Sequence, residues 1–288
     1  MTTLEQFLAR AEAVLARLEN MLPPAIETVN WEGSSAAYRW RRRNGRGTLQ
    51  PVTHSAKISL PGLYFIDRQK ALLERNTRQF IKGKPANNVL LTGARGTGKS
   101  SLIRACLNQF SGEGLRLIEV DRNDLVDLMD IGELIASRPE WFILYCDDFS
   151  FDEGDGNFRT LKAVLDGSVT AQPDNMLIYA TSNRRHLLPE RMSDNAGYAR
   201  GSDGEIHPGE TVEEKISFSD RFGLWLSFYP FSQEEYLAIV AHWLRSHGCS
   251  DLLMEGARTE ALQWALHRGS RSGRTAWQFA RDFAGRHL

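Results

Sequence analysis

Val89-Leu90-Leu91-Thr92-Gly93-Ala94-Arg95-Gly96-Thr97-Gly98-Lys99-Ser100-Ser101-Leu102 is the stretch on which the reading of this chain turns. The apolar run Val89–Thr92 has the length of a buried strand. It passes into a glycine-bearing turn that fits G-x-x-x-x-G-K-[ST], and helical periodicity resumes from Ser101 to Gln109. Glycines let the backbone turn its amides inward, and the helix N-terminus behind them adds partial positive charge, so the turn is built to hold phosphate oxygens. In that setting Lys99 reaches the β- and γ-phosphates, and the Ser100 hydroxyl is a ligand for Mg²⁺. Gly93 to Ser101 are therefore the expected nucleotide-binding residues.

Working outward, Leu115–Val120, Trp141–Cys146 and Met176–Thr181 are further short apolar runs, separated by helical periodicity. They are apolar on both faces, as strands covered by helices on each side must be, and predict an α/β fold around a parallel sheet. After Pro230 no strand signal returns. Ser232-x-x-Glu235 forms a capping box ahead of Tyr236, Leu237, Val240, Trp243 and Leu244, a second helix surrounds Leu262 to Leu266, and a third follows Arg274. The organisation expected is an N-terminal helical and basic segment (1–55), an α/β nucleotide-binding core (56–230) and a helical lid (231–288). At the N-terminus Leu4, Phe7, Leu8, Ala11, Leu15, Leu18 and Leu22 form one helical stripe, expected to dock on the chain's own surface. The polar, glycine-bearing run from Arg191 to Thr211 reads as a long loop.

Trp141-Phe142-Ile143-Leu144-Tyr145-Cys146-Asp147-Asp148 delivers carboxylates at a strand end, where a phosphate-bound Mg²⁺ needs one; Asp147 is the expected metal ligand beside Ser100. A hydrolytic water needs a base within hydrogen-bond reach. Asp148 is adjacent, and Glu153 is the second candidate, with Asp152 nearby. Asn183, in Thr181-Ser182-Asn183, follows the next strand and suits hydrogen bonding to a γ-phosphate or attacking water. Two arginines, Arg221 in Asp220-Arg221-Phe222-Gly223 and Arg274 in Arg271-Ser272-Gly273-Arg274, offer the planar fork that spreads charge on phosphate oxygens.

Composition excludes several classes. With 42% apolar and 25% charged residues and a net charge of −1, the chain is not a uniformly basic nucleic-acid coat. No unbroken apolar run is longer than Trp141–Cys146, which is far short of the roughly 18 residues of a membrane helix. The first twenty residues lack a basic leader with an apolar block, so a cytoplasmic protein without membrane attachment is expected. Cys106, Cys146 and Cys249 have no paired spacing and read as reduced core thiols, and the seven histidines show no zinc-ligand spacing. Charge is nonetheless uneven. Residues 33–66 hold six basic residues and no acid, while 119–155 hold twelve acids against Arg122 and Arg138. Arg39–Arg46 thus offers a cationic surface to nucleic acid or an acidic protein, the alternative being a solvated or subunit-pairing surface that meets the acidic stretch.

Together, the phosphate loop, the Asp147-Asp148 strand end, Thr181-Ser182-Asn183, Asp220-Arg221-Phe222 and the helical tail with Arg274 resemble an AAA+ ATPase of the P-loop NTPase superfamily. More narrowly, Tyr38-Arg39-Trp40-Arg41, Ile66-Asp67-Arg68-Gln69-Lys70, Asn76-Thr77, Ala86-Asn87-Asn88, the phosphate loop through Leu102, and Cys146-Asp147-Asp148 resemble a bacterial family of AAA+ ATP-binding proteins known mostly as a domain of unknown function. The resemblance spans about residues 25 to 285. It implies ATP with Mg²⁺, Ile66 and Asp67 beside the adenine, Asn183 and Arg274 as the two sensors, Arg221 as a finger acting on a neighbour's nucleotide, and hence a homo-oligomer. Where that superfamily carries Asp-Glu, this chain carries Asp147-Asp148, one methylene shorter at the water-handling position; slow turnover or recruitment of Glu153 follows. There is no aromatic pore-loop signature of polypeptide threading and, after the phosphate loop, no Asn-Lys-x-Asp of a regulatory GTPase.

Overall fold

In a computed structural model the residues described are 35–43, 46–53, 58–149, 172–183 and 221–288, with part of 6–17, the single residues Trp31 and Leu165, and two short backbone segments, 199–200 and 206–207. The central sheet has seven strands: β1 (Ala37–Arg43), β2 (Arg46–Pro51), β3 (Val89–Gly93), β4 (Leu115–Glu119), β5 (Trp141–Cys146), β6 (Met176–Ser182) and β9 (Leu224–Phe228). Their order is β2-β1-β4-β5-β6-β3-β9, and every neighbouring pair is parallel except the β1–β2 hairpin. A separate antiparallel pair, β7 (Ala199–Arg200) and β8 (Ile206–His207), falls within the run expected to be a loop.

One face of the sheet is covered by α1 (Asp67–Ile81) and α2 (Lys99–Phe110), the other by α3 (Leu128–Ala136). β5 and β6 are buried at nearly every position, which is why their sequences run apolar without alternation. The lid consists of α4 (Gln233–Ser246), α5 (Asp251–His267) and α6 (Gly273–His287). Ser232 and Glu235 form the capping box at the start of α4. Lid residues Tyr236, Val240 and Phe279 belong to the same buried cluster as Leu73, Leu91 and Phe228 of the core, so core and lid share one apolar interior.

Several motifs that carry the family resemblance turn out to brace this frame. Asn76 Nδ2 donates to Asn87 O at 2.9 Å and its Oδ1 accepts from Asn87 N at 3.0 Å, fastening α1 to the segment ahead of β3, while Thr77 Oγ1 lies 2.9 Å from Tyr179 Oη in a buried contact that joins α1 to β6. Asn88 Oδ1 accepts from Ile178 N at 2.8 Å.

Two expectations are corrected. The break at residue 55 is not a break, because β1 pairs with β4 and carries the hairpin into the core sheet. Of the N-terminal helix, residues 6–8 and 10–14 are helical, and within its stripe Phe7 is 68% exposed and Leu8 53%, against the docking expected of them, while Ala11 is half-buried and Leu4, Leu15, Leu18 and Leu22 lie outside the described residues. All three cysteines are buried free thiols, and burial pushes Cys106 and Cys146 up to about 12. Among the described residues no helix is long and apolar enough to cross a membrane.

Candidate functional site

The phosphate loop joins the C-terminal end of β3 to the N-terminus of α2, and two glycines there answer to close approaches. Gly93, at φ +121°, passes so near β9 that a Cβ would collide with Phe228 O. Gly96, at φ +76°, abuts the lid, where a Cβ would meet Ser272 Oγ at 2.7 Å and Arg274 Cβ at 3.2 Å. The lid is tied to the loop by Gly273 N–H donating to Gly96 O at 2.9 Å.

The first turn of α2 differs from those of the lid helices in one respect. α4, α5 and α6 each have a serine N-cap whose side chain accepts a backbone N–H: Ser232, Ser250 and Ser272. α2 is preceded by Gly98 and has no side-chain cap. Its leading N–H groups are thus left without the usual side-chain acceptor, the arrangement that receives an anion.

Lys99 is buried, and its Nζ donates to Gly93 O and Ala94 O, each at 2.7 Å, and to Asn183 Oδ1 at 3.0 Å. Burial lowers its pKa to about 8, with Asp147 and Asp148 opposing, so the ammonium persists at neutral pH. Ser100 Oγ donates to Asp147 Oδ1 at 2.9 Å, and Thr181 Oγ1 donates to the same oxygen at 2.6 Å. Burial alone would raise the Asp147 pKa. The neighbouring hydroxyls of Thr181, Tyr145 and Ser100 and the charge of Arg104 outweigh it and hold the carboxyl below its usual range.

A hydroxyl and an ionised carboxylate meeting at the loop's mouth are hard oxygen donors of the kind Mg²⁺ takes when phosphates and water complete its shell. Among the described residues no three His, Cys, Asp or Glu side chains form a protein-only metal cage. The donor set therefore fits a cation held jointly with phosphate.

Asp148 has φ +49°, a left-handed conformation uncommon outside glycine. Its N–H donates to Asp147 Oδ1 and to Thr181 Oγ1, each at 3.1 Å. One side-chain oxygen accepts from Asn183 Nδ2 at 2.6 Å, and the other lies 3.6 Å from Arg95 Nη2. Asn183 thus bridges Lys99 and Asp148.

The structure brings Lys99, Ser100, Asp147, Asp148, Asn183 and Arg274 around one loop, and Ile66 is buried with its side chain close to Gly98. Asp67 is mostly exposed and pairs with Lys70 at 2.7 Å. Arg221 is not with the others. It precedes β9, whose C-terminal residue Phe228 is the one paired with Gly93, so the strand's length of about 13 Å separates it from its own chain's loop. Asp152, Glu153 and Asp220 lie outside the described residues.

Sequence reasoning had Arg95 within the phosphate loop and Thr181 within Thr181-Ser182-Asn183, but not their contacts with Asp148 and Asp147, and it overlooked Tyr145 and Arg104 as members of the site. Signals existed for two: Tyr145 precedes Asp147 by the strand period of two, and Arg104 follows Ser100 by four on a helix. The Thr181 and Arg95 contacts depend on how β5, β6 and the loop meet.

The basic run is not the free surface it suggested. The β1–β4 register sets Arg39 against Glu119, and the side chains pair at 2.9 Å. Arg41 pairs with Asp121 at 3.2 Å and Arg42 with Asp127 at 3.4 Å, while Trp40 Nε1 donates to Asp127 Oδ2 at 2.9 Å. The hairpin meets the acidic stretch within the chain. Side chains of Arg43 and Arg46 lie outside the described residues.

A family model described as "Protein of unknown function (DUF815)" matches residues 33–287. Among solved structures, the FIGL-1 AAA domain in complex with ADP is similar with a TM-score of 0.51 and 18% identity, over 81% of this chain and 74% of that one. The replication initiator DnaA bound to AMPPCP and single-stranded DNA gives 0.49 and 15%, over 80% and 65%. A Thermotoga maritima RuvB variant gives 0.46 and 14%, over 78% and 61%, so this chain spans less than two thirds of the DnaA and RuvB chains. No curated protein matches. At such identities the likeness speaks for the fold, which is that of an AAA+ P-loop NTPase with a mostly parallel sheet.

Proposed function

This chain belongs to the DUF815 family, and from that premise and the loop geometry we propose that it is an ATP-binding, Mg²⁺-dependent AAA+ ATPase of the cytoplasm. In this reading it hydrolyses nucleotide at the boundaries between subunits of a homo-oligomer, to remodel or load a partner. The observation that carries the reading is Ser100 Oγ meeting Asp147 Oδ1 at 2.9 Å beside the uncapped N-terminus of α2. ATP in preference to GTP rests on the AAA+ resemblance.

The loop amides and the α2 N-terminus bind the phosphates, and Lys99 exchanges its carbonyl partners for β- and γ-oxygens. Mg²⁺, when bound, neutralises charge developing on the phosphates. Ser100 and Asp147 are the residues that would hold it. Asn183 hydrogen-bonds the γ-phosphate, Asp148 orients the water and accepts its proton, and Arg274 contributes charge from the lid. Arg221, remote from its own loop, acts on a neighbour's nucleotide.

One observation favours a second reading, a switch that holds ATP and hydrolyses it slowly. Both Asp148 oxygens already face partners, Asn183 and Arg95, on a carboxylate one methylene shorter than the superfamily's glutamate. Calorimetry with ATP and GTP, with Mg²⁺ and with chelator, tests binding. Lys99→Ala should lose ATP binding by 100-fold or more, on the order of the charge-assisted contacts removed. Turnover followed across protein concentration tests the rest: it should rise with concentration, and mixing Arg221→Ala with Lys99→Ala subunits should restore part of it. Asp148→Glu separates the readings, since faster turnover in the variant marks the native chain as the slow switch. No heat with either nucleotide from a folded sample would remove both.

A further inference from the structure

On α6 the buried side is Ala276, Phe279, Ala280, Phe283 and Ala284, and the opposite face carries Arg274, Trp277, Gln278 and Arg281 at helical spacing. That face starts at the phosphate loop and runs outward along the lid for about 10 Å. With the C-terminal part of α5 it forms a shallow groove of about 500 Å³ lined by Trp264, Arg268, Trp277, Gln278, Arg281 and Asp282.

The groove repeats one arrangement twice. The Arg268 guanidinium lies 4.5 Å over the Trp264 ring and the Arg281 guanidinium 4.7 Å over the Trp277 ring. Arg268 Nη1 also donates to Gln278 Oε1 at 2.8 Å, fixing the end of α5 against α6. Neither Arg268 nor Arg281 has a carboxylate partner among the described residues. The groove's own acid, Asp282, accepts from Arg286 Nε at 3.0 Å. Both guanidiniums are exposed, as is Trp277 at 38%. Flat cations held on indoles, with N–H groups left for oxygen acceptors and π-faces left for stacking, match a polyanion that carries planar groups.

We propose that this lid groove binds single-stranded nucleic acid, bases stacking on the Trp277 and guanidinium planes and phosphates meeting Arg268 and Arg281. Stacking tolerates any base, and the groove has no array of side chains positioned to read base edges, so the binding is sequence-tolerant. An acidic peptide would use the arginines but not the exposed indole.

The test is fluorescence anisotropy of the full chain with labelled oligothymidylate and oligouridylate of about twenty nucleotides, which span the site of a single-strand binder. Heparin and polyglutamate serve as competitors that offer charge without bases. Binding of either oligonucleotide, weakening with salt, is expected. Trp277→Ala should weaken it about tenfold with the salt slope unchanged, and Trp277→Phe should restore most of that loss. Arg268→Ala with Arg281→Ala should weaken it further and flatten the slope of log affinity against log salt by about 1.4. Arg41→Ala in the hairpin should leave it within about twofold. The stronger oligonucleotide identifies DNA or RNA as the ligand. The proposal is overturned if neither oligonucleotide binds, if polyglutamate competes as well as nucleic acid, if Trp277→Ala changes nothing in a sample of unaltered melting temperature, or if sedimentation shows Arg281→Ala dissociating an oligomer.

Discussion

The β1–β2 hairpin and the outer face of the lid both set arginines beside tryptophans, and they differ in what those arginines face. On the hairpin, Arg39, Arg41 and Arg42 point at Glu119, Asp121 and Asp127, and Trp40 is buried on Asp127. On the lid, Arg268 and Arg281 lie on indole rings and keep donors toward solvent. Counted along the chain, the hairpin is the stronger cationic candidate. In three dimensions it is the neutralised one, because parallel pairing with β4 lays the basic run beside an acidic one some eighty positions on. A local charge run reports potential partners only after the fold has matched it with its neighbours.

The largest break in this comparison is expected at Asp127. Asp127→Ala removes the acceptor of a buried indole N–H and the partner of Arg42 together, and should lower unfolding free energy by about 3 kcal/mol in urea denaturation. Asp127→Asn, which keeps an acceptor for Trp40, should lose roughly a third of that. The matching change on the lid, Asp282→Ala, removes an exposed acid and should stay within about 0.5 kcal/mol. If the two alanine variants were equally destabilised, the contrast between a structural seam and a binding face would fail.

A smaller effect is expected from Arg41→Ala, whose pair with Asp121 is about half exposed on both sides. Its loss should be at most about 1 kcal/mol and should shrink as salt rises.

The smallest is a pH effect at the junction of core and lid, where Tyr64 Oη lies 3.0 Å from His242 Nδ1 and the rings are 4.5 Å apart. Burial and the charge of Arg245 lower the His242 pKa. The unfolded chain therefore binds this proton more readily than the folded one, and stability falls as pH drops through the ordinary histidine range near 6.5. Thermal melts between about pH 7.5 and 5.5 should show a slightly smaller decline in His242→Phe than in the native chain. An identical pH profile in the variant would detach His242 from lid docking.

Much of this was legible in the chain itself. The glycine-lysine-serine turn, four of the seven strands of the sheet and the lid's capping box could be read from residue order, because each depends on contacts within a few positions. Asp147 and Asn183 were legible as strand-end residues, since parallel strands deliver their C-terminal ends to one edge of a sheet. β1 and β2 were not: the alternation of Tyr38-Arg39-Trp40-Arg41 is short and set among arginines, and only the pairing of β1 with β4 carries the hairpin into the core sheet. The Thr181 bond to Asp147, the approach of Arg95 to Asp148 and the left-handed backbone of Asp148 were likewise hidden, for each depends on how β5, β6 and the loop meet.

Residue order by itself determined the phosphate loop, its lysine and hydroxyl, and a helical tail after an α/β core, because glycine freedom, helix caps and apolar periodicity are local properties. Tertiary structure decided which charges cancel, which side chains hold Asp147 and Asp148 in place, and that Arg221 stands apart from its own loop while Arg274 stands against it. Those outcomes depend on strand order and register, which juxtapose residues from opposite ends of the chain, and electrostatic partnership follows distance in space.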